Sequence, residues 1–239
     1  MALFALIGGS SPQPHLDNKI MLHLLSLVKN KRPKILFCPY AKINQIEKSI
    51  NKFLKLVSNL DCDVVSLNMK NLKSFSLLLN ECDIFYVDGG CCDDLISFFK
   101  KNGLDIILKS YVNTNKIFAG SSAGAMLYTN VAMGDKYAYC DNFHTYNYKM
   151  VKCLNILNLD ICPHYQNEDL VIYNDELKEY NMDAFGIEED CMLVINDNKF
   201  YVIKEDLTKS VYFFDSTKDY LMIPLYEGVV YEKDCSFRS

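Results

Sequence analysis

KIFAGSSAGAM, residues 116–126, decides how this chain reads. A short apolar run enters Gly120-Ser121-Ser122-Ala123-Gly124 and an apolar run of helical character leaves it. That is the G-x-S-x-G pattern of a strand turning sharply into a helix, with Ser122 at the apex. The chain must reverse within one or two residues, so the flanking positions cannot carry bulk, and Gly120 and Gly124 supply the room. A hydroxyl held there lies at a helix N-terminus, where unpaired N–H groups and the helix dipole favour negative charge on an attacked carbonyl oxygen. The Ala123 N–H is then one expected oxyanion donor, and the glycine spacing selects Ser122 over Ser121. A small-residue turn with an N-capping serine is the structural alternative. The strand before and the helix after favour the catalytic reading.

Outward from this turn, apolar runs alternate with helix-period segments, the pattern of βαβ units and a mostly parallel sheet. Strands are predicted at Leu3–Ile7, Lys34–Cys38, Asp63–Leu67, Ile84–Val87 and Lys116–Ala119. Helices are predicted at His15–Val28, Ile43–Leu60, Leu72–Leu79 and Asp93–Lys101, with a further one after Ser122 running to about Val131. Gly134–Tyr148 is irregular and aromatic, the composition of a loop beside a site. Then come Leu154–Leu157, the strand Leu159–Pro163, a helix near Glu168–Tyr180, and apolar runs at Ala184–Ile187, Met192–Ile195, Phe200–Ile203 and Val211–Phe214. Asn196-Asp197-Asn198-Lys199 joins the middle pair as a hairpin. The expected fold is α/β: a doubly wound, mostly parallel sheet flanked by helices, with a small antiparallel extension toward the C-terminus. Ligands of such sheets sit at the carboxyl ends of the strands, where Ser122 also lies.

With 239 residues and 50% apolar content, the chain can bury a full core, and no linker-like block, repeat or low-complexity tract divides residues 1–239. One domain is expected. A net charge of −5 and pI near 5.4 leave no nucleic-acid footprint, and the basic run Lys29–Lys34 reads as a solvated loop. No apolar run approaches the ~20 residues that span a bilayer, and MALFALI reads as a first strand rather than a leader. Several of the ten cysteines, Cys38, Cys62 and Cys191 among them, fall inside apolar strand-like runs, as expected for a reduced cytoplasmic protein. Without C-x-x-C or H-E-x-x-H, neither a metal site nor a cofactor is expected.

A serine attacks only when a base takes its proton and a third group holds that base in the right tautomer. Of the four histidines, His23 lies within the first helix, His15 starts it, and His144 sits in the irregular segment. His164 closes the strand Leu159–Pro163, and a strand-end loop is where a base belongs. Glu188-Glu189-Asp190 ends another strand-like run and offers the acid, although a polar turn between strands accounts for it equally well. Asp88-Gly89-Gly90-Cys91 follows the fourth strand and offers Gly89 or Gly90 as the second oxyanion donor.

In the order Ser122, His164, Glu189, these pieces resemble the dipeptidase E (aspartyl dipeptidase) and cyanophycinase family of serine peptidases, over most of the chain. That family shares the class I glutamine amidotransferase-like fold, which is flavodoxin-like in outline. Its turn V-G-G-G-N, its G-x-S-A-G-A, its N-P-H-[FY] and its strand end G-[IL]-x-E read here as Val87–Cys91, Gly120–Ala125, Cys162–Tyr165 and Gly186–Glu189. Four motifs in one order are far more specific than any one of them. The resemblance implies Ser122 as nucleophile, His164 as general base and Glu189 rather than Glu188 as its orienting acid. Histidine precedes the acid, unlike the order in α/β-hydrolases. Glutaminases of the same fold use cysteine at the elbow and place glutamate two residues after the histidine, where this chain has Gln166.

The chain departs from the family's turn at Asp88 and Cys91. Its only arginines, Arg32 and Arg238, lie away from every motif, so a preference for N-terminal aspartate is not expected. The tyrosine-rich Tyr137–Tyr148 segment is expected to face a neutral or apolar substrate side chain. The expected activity is hydrolysis of small peptides through an acyl-enzyme. Hydrolysis of a nonpeptide amide or ester, and a non-catalytic binding module on the same fold, are the alternatives. A small peptide is the expected partner, with neither nucleic acid nor membrane, and a homodimer is the default expectation for such an enzyme.

Overall fold

The computed structural model describes residues 1–10, 18–135, 148–166, 170–234 and 237. Its first half follows the predicted alternation through β1 (Leu3–Ile7), α1 (Lys19–Ser26), β2 (Lys34–Cys38), α2 (Ile46–Leu56), β3 (Asp63–Ser66), α3 (Phe75–Glu81), β4 (Ile84–Val87), α4 (Cys92–Lys101), α5 (Leu104–Ser110) and β5 (Ile117–Ser121). The five strands pair in parallel in the order β1-β5-β4-β2-β3. Strand side chains alternate between faces, and both faces are covered here. Phe4, Leu36, Phe85 and Phe118 meet Phe75 of α3, Leu95 and Phe99 of α4 and Leu108 of α5. Ala5, Phe37, Tyr86 and Ala119 meet Met21 and Leu24 of α1 and Phe53 of α2. Two buried faces explain why each strand reads as one continuous apolar run. Fully burying one such large side chain contributes ~1.5–3 kcal/mol. The short α5 escapes the sequence pattern: it is seven residues long and opens at Gly103, whose left-handed φ of 66° breaks the chain away from α4.

The second half continues through α6 (Ala123–Met126), β6 (Val131–Asp135), β7 (Tyr148–Lys152), β8 (Asp160–Pro163), α7 (Leu170–Tyr180), β9 (Ala184–Ile187), β10 (Cys191–Asn196), β11 (Lys199–Lys204), β12 (Val211–Asp215), β13 (Leu221–Leu225) and β14 (Tyr231–Glu232). β10, β11 and β14 extend the main sheet beyond β1 by antiparallel pairing, to eight strands. The predicted hairpin joins β10 to β11, with Asn196 opposite Lys199 and Asp197 left-handed at φ 62°.

The remaining strands differ from expectation. They form a separate six-stranded sheet, ordered β13-β12-β9-β8-β6-β7, in addition to the expected antiparallel extension. β6, β8 and β9 run parallel within it and the other pairs are antiparallel. The helix after Ser122 stops at Met126, and Val131, assigned to that helix by pattern, opens β6 instead. Leu154–Leu157 is a buried connection whose backbone bonds to Leu127 and Tyr128. The second sheet has its own two faces. Ile161, Phe185 and Phe213 pack into the core shared with α4 and α6, while Cys162, Ala184 and Phe214 meet Tyr173 and Leu177 of α7. The chain is thus layered as α1 and α2, main sheet, helices with the second sheet, and α7.

Candidate active site

The end of β5 is shaped by close backbone approach. A Cβ on Gly120 would lie 2.3 Å from the Gly124 carbonyl, and one on Gly124 would lie 2.1 Å from the Val87 oxygen at the end of β4. Only glycine lets this turn nest against β4. Ser122 takes φ 52° and ψ −118°, a costly conformation for a non-glycine residue. It is held by its own N–H, which donates to Ile7 O at 2.8 Å, and by its carbonyl, which accepts from the N–H groups of Ala125 and Met126. The strain is therefore overdetermined by the main chain and aims the side chain out of the sheet. On the neighbouring β4, the buried Tyr86 phenol is pushed up by desolvation.

His164 ends β8 with a left-handed φ of 54°. Its N–H donates to Gly8 O at 3.0 Å, which ties the second sheet to the carboxyl end of β1. The ring lies over Gly9, where a Cβ would come within 2.3 Å of Cε1. From this position His164 Nε2 is 2.8 Å from Ser122 Oγ, and Nδ1 is 3.0 Å from Glu189 Oε1. A neutral ring makes both bonds in one tautomer: Nδ1–H donates to Glu189 and Nε2 accepts from the serine hydroxyl. Glu189 sits between β9 and β10, where the chain crosses from the second sheet back to the main one. Its neighbour Glu188 points elsewhere and accepts from Tyr212 Oη at 3.4 Å.

The structure therefore brings Ser122, His164 and Glu189 into one hydrogen-bonded chain. The Ala123 N–H opens α6 directly beside Ser122 and, among the described residues, has no acceptor. Gly89 passes close by, since a Cβ there would lie 3.1 Å from Ser122 Cβ. Its N–H is taken by Asp88 Oδ1 at 2.9 Å, whereas the Gly90 N–H has no acceptor among the described residues. The Gly8-Gly9 pair seats the histidine, a role that the candidate site residues from sequence do not include. A glycine pair at a strand's carboxyl end was the available signal.

Among the described residues, the other histidine stands apart from this chain. His23 of α1 bonds Tyr201 Oη at 3.0 Å, and burial pushes its pKa down. His15, His144 and most of Tyr137–Tyr148 lie outside the described residues. Arg32 pairs with Asp61 and Asp63 at the rim of β3, and Arg238 also lies outside the described residues. Buried thiols are inert: burial pushes Cys38 and Cys191 up to about 12. Among the described residues, no group of three His, Cys, Asp or Glu side chains could hold a metal ion, and no helix is long and apolar enough to cross a membrane.

Residues 4–203 match the family model for peptidase family S51. The chain belongs to peptidase family S51. The uncharacterized peptidase YgaJ of Bacillus subtilis (strain 168) is 30% identical to it over 164 residues, 67% of this chain and 66% of YgaJ. The chain thus spans just under two thirds of that relative's length. A crystal structure of a peptidase from an acI-B1 Actinobacterium superposes with a TM-score of 0.69 at 18% identity, covering 98% of this chain and 97% of that one. A candidate peptidase E from Listeria monocytogenes EGD-e gives a TM-score of 0.62 at 17% identity over 85% of this chain and 98% of its own. The α/β architecture is the class I glutamine amidotransferase-like fold. In this S51 chain the first glycine of the turn after β4 is Asp88, and its carboxylate makes the bond to Gly89 described above.

Proposed function

We propose that this chain is a cytoplasmic serine peptidase that cleaves small peptides through an acyl-enzyme on Ser122. One observation carries the reading: a strained serine at a strand-to-helix turn, 2.8 Å from a histidine that is itself 3.0 Å from a glutamate. As Ser122 Oγ attacks the scissile carbonyl carbon, His164 Nε2 accepts its proton, and Glu189 stabilises the imidazolium while holding the ring's orientation. The carbonyl oxygen becomes an oxyanion that accepts from the Ala123 and Gly90 N–H groups, which stand ready at a helix start and a tight turn. Collapse of the tetrahedral intermediate breaks the C–N bond, and His164 returns the proton to the leaving amine. Water then attacks the acyl-enzyme with His164 as base, and release of the acid regenerates Ser122.

Apart from the hydrolytic water, each step uses side chains and backbone groups already in place, so no metal or cofactor enters this mechanism. Support for a peptide amide over another amide or ester comes from membership in family S51. The test is labelling by a fluorophosphonate probe. Ser122 should carry the adduct, and Ser122→Ala should abolish labelling and lower the hydrolysis rate by ~10⁴ or more with the fold unchanged. Labelling on Ser121, or turnover retained in Ser122→Ala, overturns the assignment.

A further inference from the structure

Asp88 stands in an unusual position for a carboxylate. It follows β4, immediately before the two glycines that run past Ser122, and its side chain is only 20% exposed. Three donors converge on it. Oδ1 accepts the Gly89 N–H at 2.9 Å, and Oδ2 accepts Lys42 Nζ at 3.2 Å together with the Ser49 hydroxyl of α2 in a short hydrogen bond. Its own N–H donates to Cys38 O at the end of β2. Lys42 belongs to the 3₁₀ turn Tyr40–Gln45, and that turn grips the next part of the loop as well. Ala41 O accepts the Cys91 N–H at 2.7 Å, and a Cβ on Gly90 would collide with the same oxygen at 2.1 Å.

We propose that Asp88 is a positioning residue for the oxyanion site: tied down by Lys42 and Ser49, it captures the Gly89 N–H and leaves the Gly90 N–H as the donor this turn presents beside Ser122. The inference rests on Ser122 being the nucleophile, and it selects between the two glycines that the sequence leaves open. The Gly89 N–H belongs to the Asp88–Gly89 peptide, and the glycine on its far side leaves that plane little steric restraint, so a side-chain acceptor can set the orientation with which the chain enters the Gly89–Gly90 turn. A half-buried carboxylate with three charge-assisted or polar bonds is well suited to that task, because each bond restrains it in a different direction. Replacing the family's glycine by aspartate then preserves the turn's function by a side-chain route.

The test uses the intact chain and the fluorophosphonate probe, whose phosphoryl oxygen occupies the oxyanion position during reaction. Saturation kinetics separate the binding constant KI from the bond-forming rate kinact. Asp88→Ala should lower kinact by ~10-fold or more, a fraction of the ~10²–10³ lost when an oxyanion donor is removed outright, with KI changed less than ~3-fold. Asp88→Asn, which keeps an oxygen for the Gly89 N–H, should recover most of that loss. Ser49→Ala and Lys42→Met leave the carboxylate in place and should each slow kinact by a smaller factor, which keeps the idea testable if Asp88→Ala does not fold. A wild-type kinact in Asp88→Ala, or in both Ser49→Ala and Lys42→Met, overturns the positioning role, as does a change confined to KI. Failure of the probe to label wild-type Ser122 overturns instead the nucleophile assignment.

Discussion

Replacing Asp160 by asparagine should flatten the pH dependence of this protein's stability. Asp160 opens β8, is fully buried, and neither of its carboxylate oxygens has a hydrogen-bond partner among the described residues. The hydroxyls of Tyr173 on α7 and of Tyr220 are likewise buried without partners, and both rings lie within electrostatic reach of Asp160. Desolvation pushes the Asp160 carboxyl from 3.8 up to about 7; the nearby backbone amide of Val131 opposes this without making a hydrogen bond of ordinary geometry. The sign follows from proton counting. Between the unfolded and folded values the native state holds a proton that the unfolded chain has released, so stability falls as pH rises through that window and levels off above about 7. Three units at about 1.4 kcal/mol each set a ceiling of ~4 kcal/mol on the loss. Asparagine is neutral at every pH and nearly isosteric. Urea unfolding of both proteins at pH 5, 6, 7 and 8 cancels the groups they share. Asp160→Asn should exceed wild type by ~1.5 kcal/mol at pH 5, with the gap widening to ~4 kcal/mol at pH 8. A difference that stays constant across the series would refute the buried, protonated carboxyl.

Two further outcomes concern the site. Glu189→Gln should lower kcat by at least ~10², as loss of a triad acid does, while Glu188→Gln, whose side chain reaches Tyr212 instead of His164, should cost far less; the reverse ranking in steady-state kinetics would place the acid one residue earlier. With Arg32 committed to Asp61 and Asp63 on the surface, kcat/KM for Asp-Leu should exceed that for Ala-Leu by well under ~100-fold, and a larger ratio would mean that lysine or backbone amides recognise the aspartate.

The main sheet was legible because strands buried on both faces must be apolar along their buried length, as LFALI, ILFC and IFYV are. The β10–β11 hairpin was legible through its two-residue polar turn. The second sheet was not. β6 follows the elbow with no breaker between them, so Val131 reads as more helix, and β13 carries Pro224 within LMIPL, a residue that argues against a strand until the strand is seen to be an edge. The Ser122, His164 and Glu189 positions were readable as separate motifs, each at the end of a strand. Their contact was not, because it is made between sheets whose relative placement no local pattern encodes. Asp88 shows the same limit: its partners Lys42 and Ser49 come from the turn after β2 and from α2, more than thirty residues earlier in the chain, and only packing in the fold brings them to the end of β4.

The site sits on a seam. Ser122 is carried by the main sheet, His164 by the second, and Glu189 by the connection that crosses between them. A 2.8 Å bond from serine to histidine therefore depends on how the two sheets are docked, and the docking is enforced locally by β1. Gly8 O accepts the His164 N–H, and Gly9 O accepts the Asp190 N–H next to Glu189, so one dipeptide fixes His164 and Glu189 against the strand beside Ser122. Neither glycine could carry a side chain: a Cβ on Gly8 would strike Glu188 O at 2.2 Å, and one on Gly9 would strike the imidazole. The same seam includes Asp160. It lies in β8 only four residues before His164, so the buried carboxyl whose ionisation costs stability shares one short strand with the histidine.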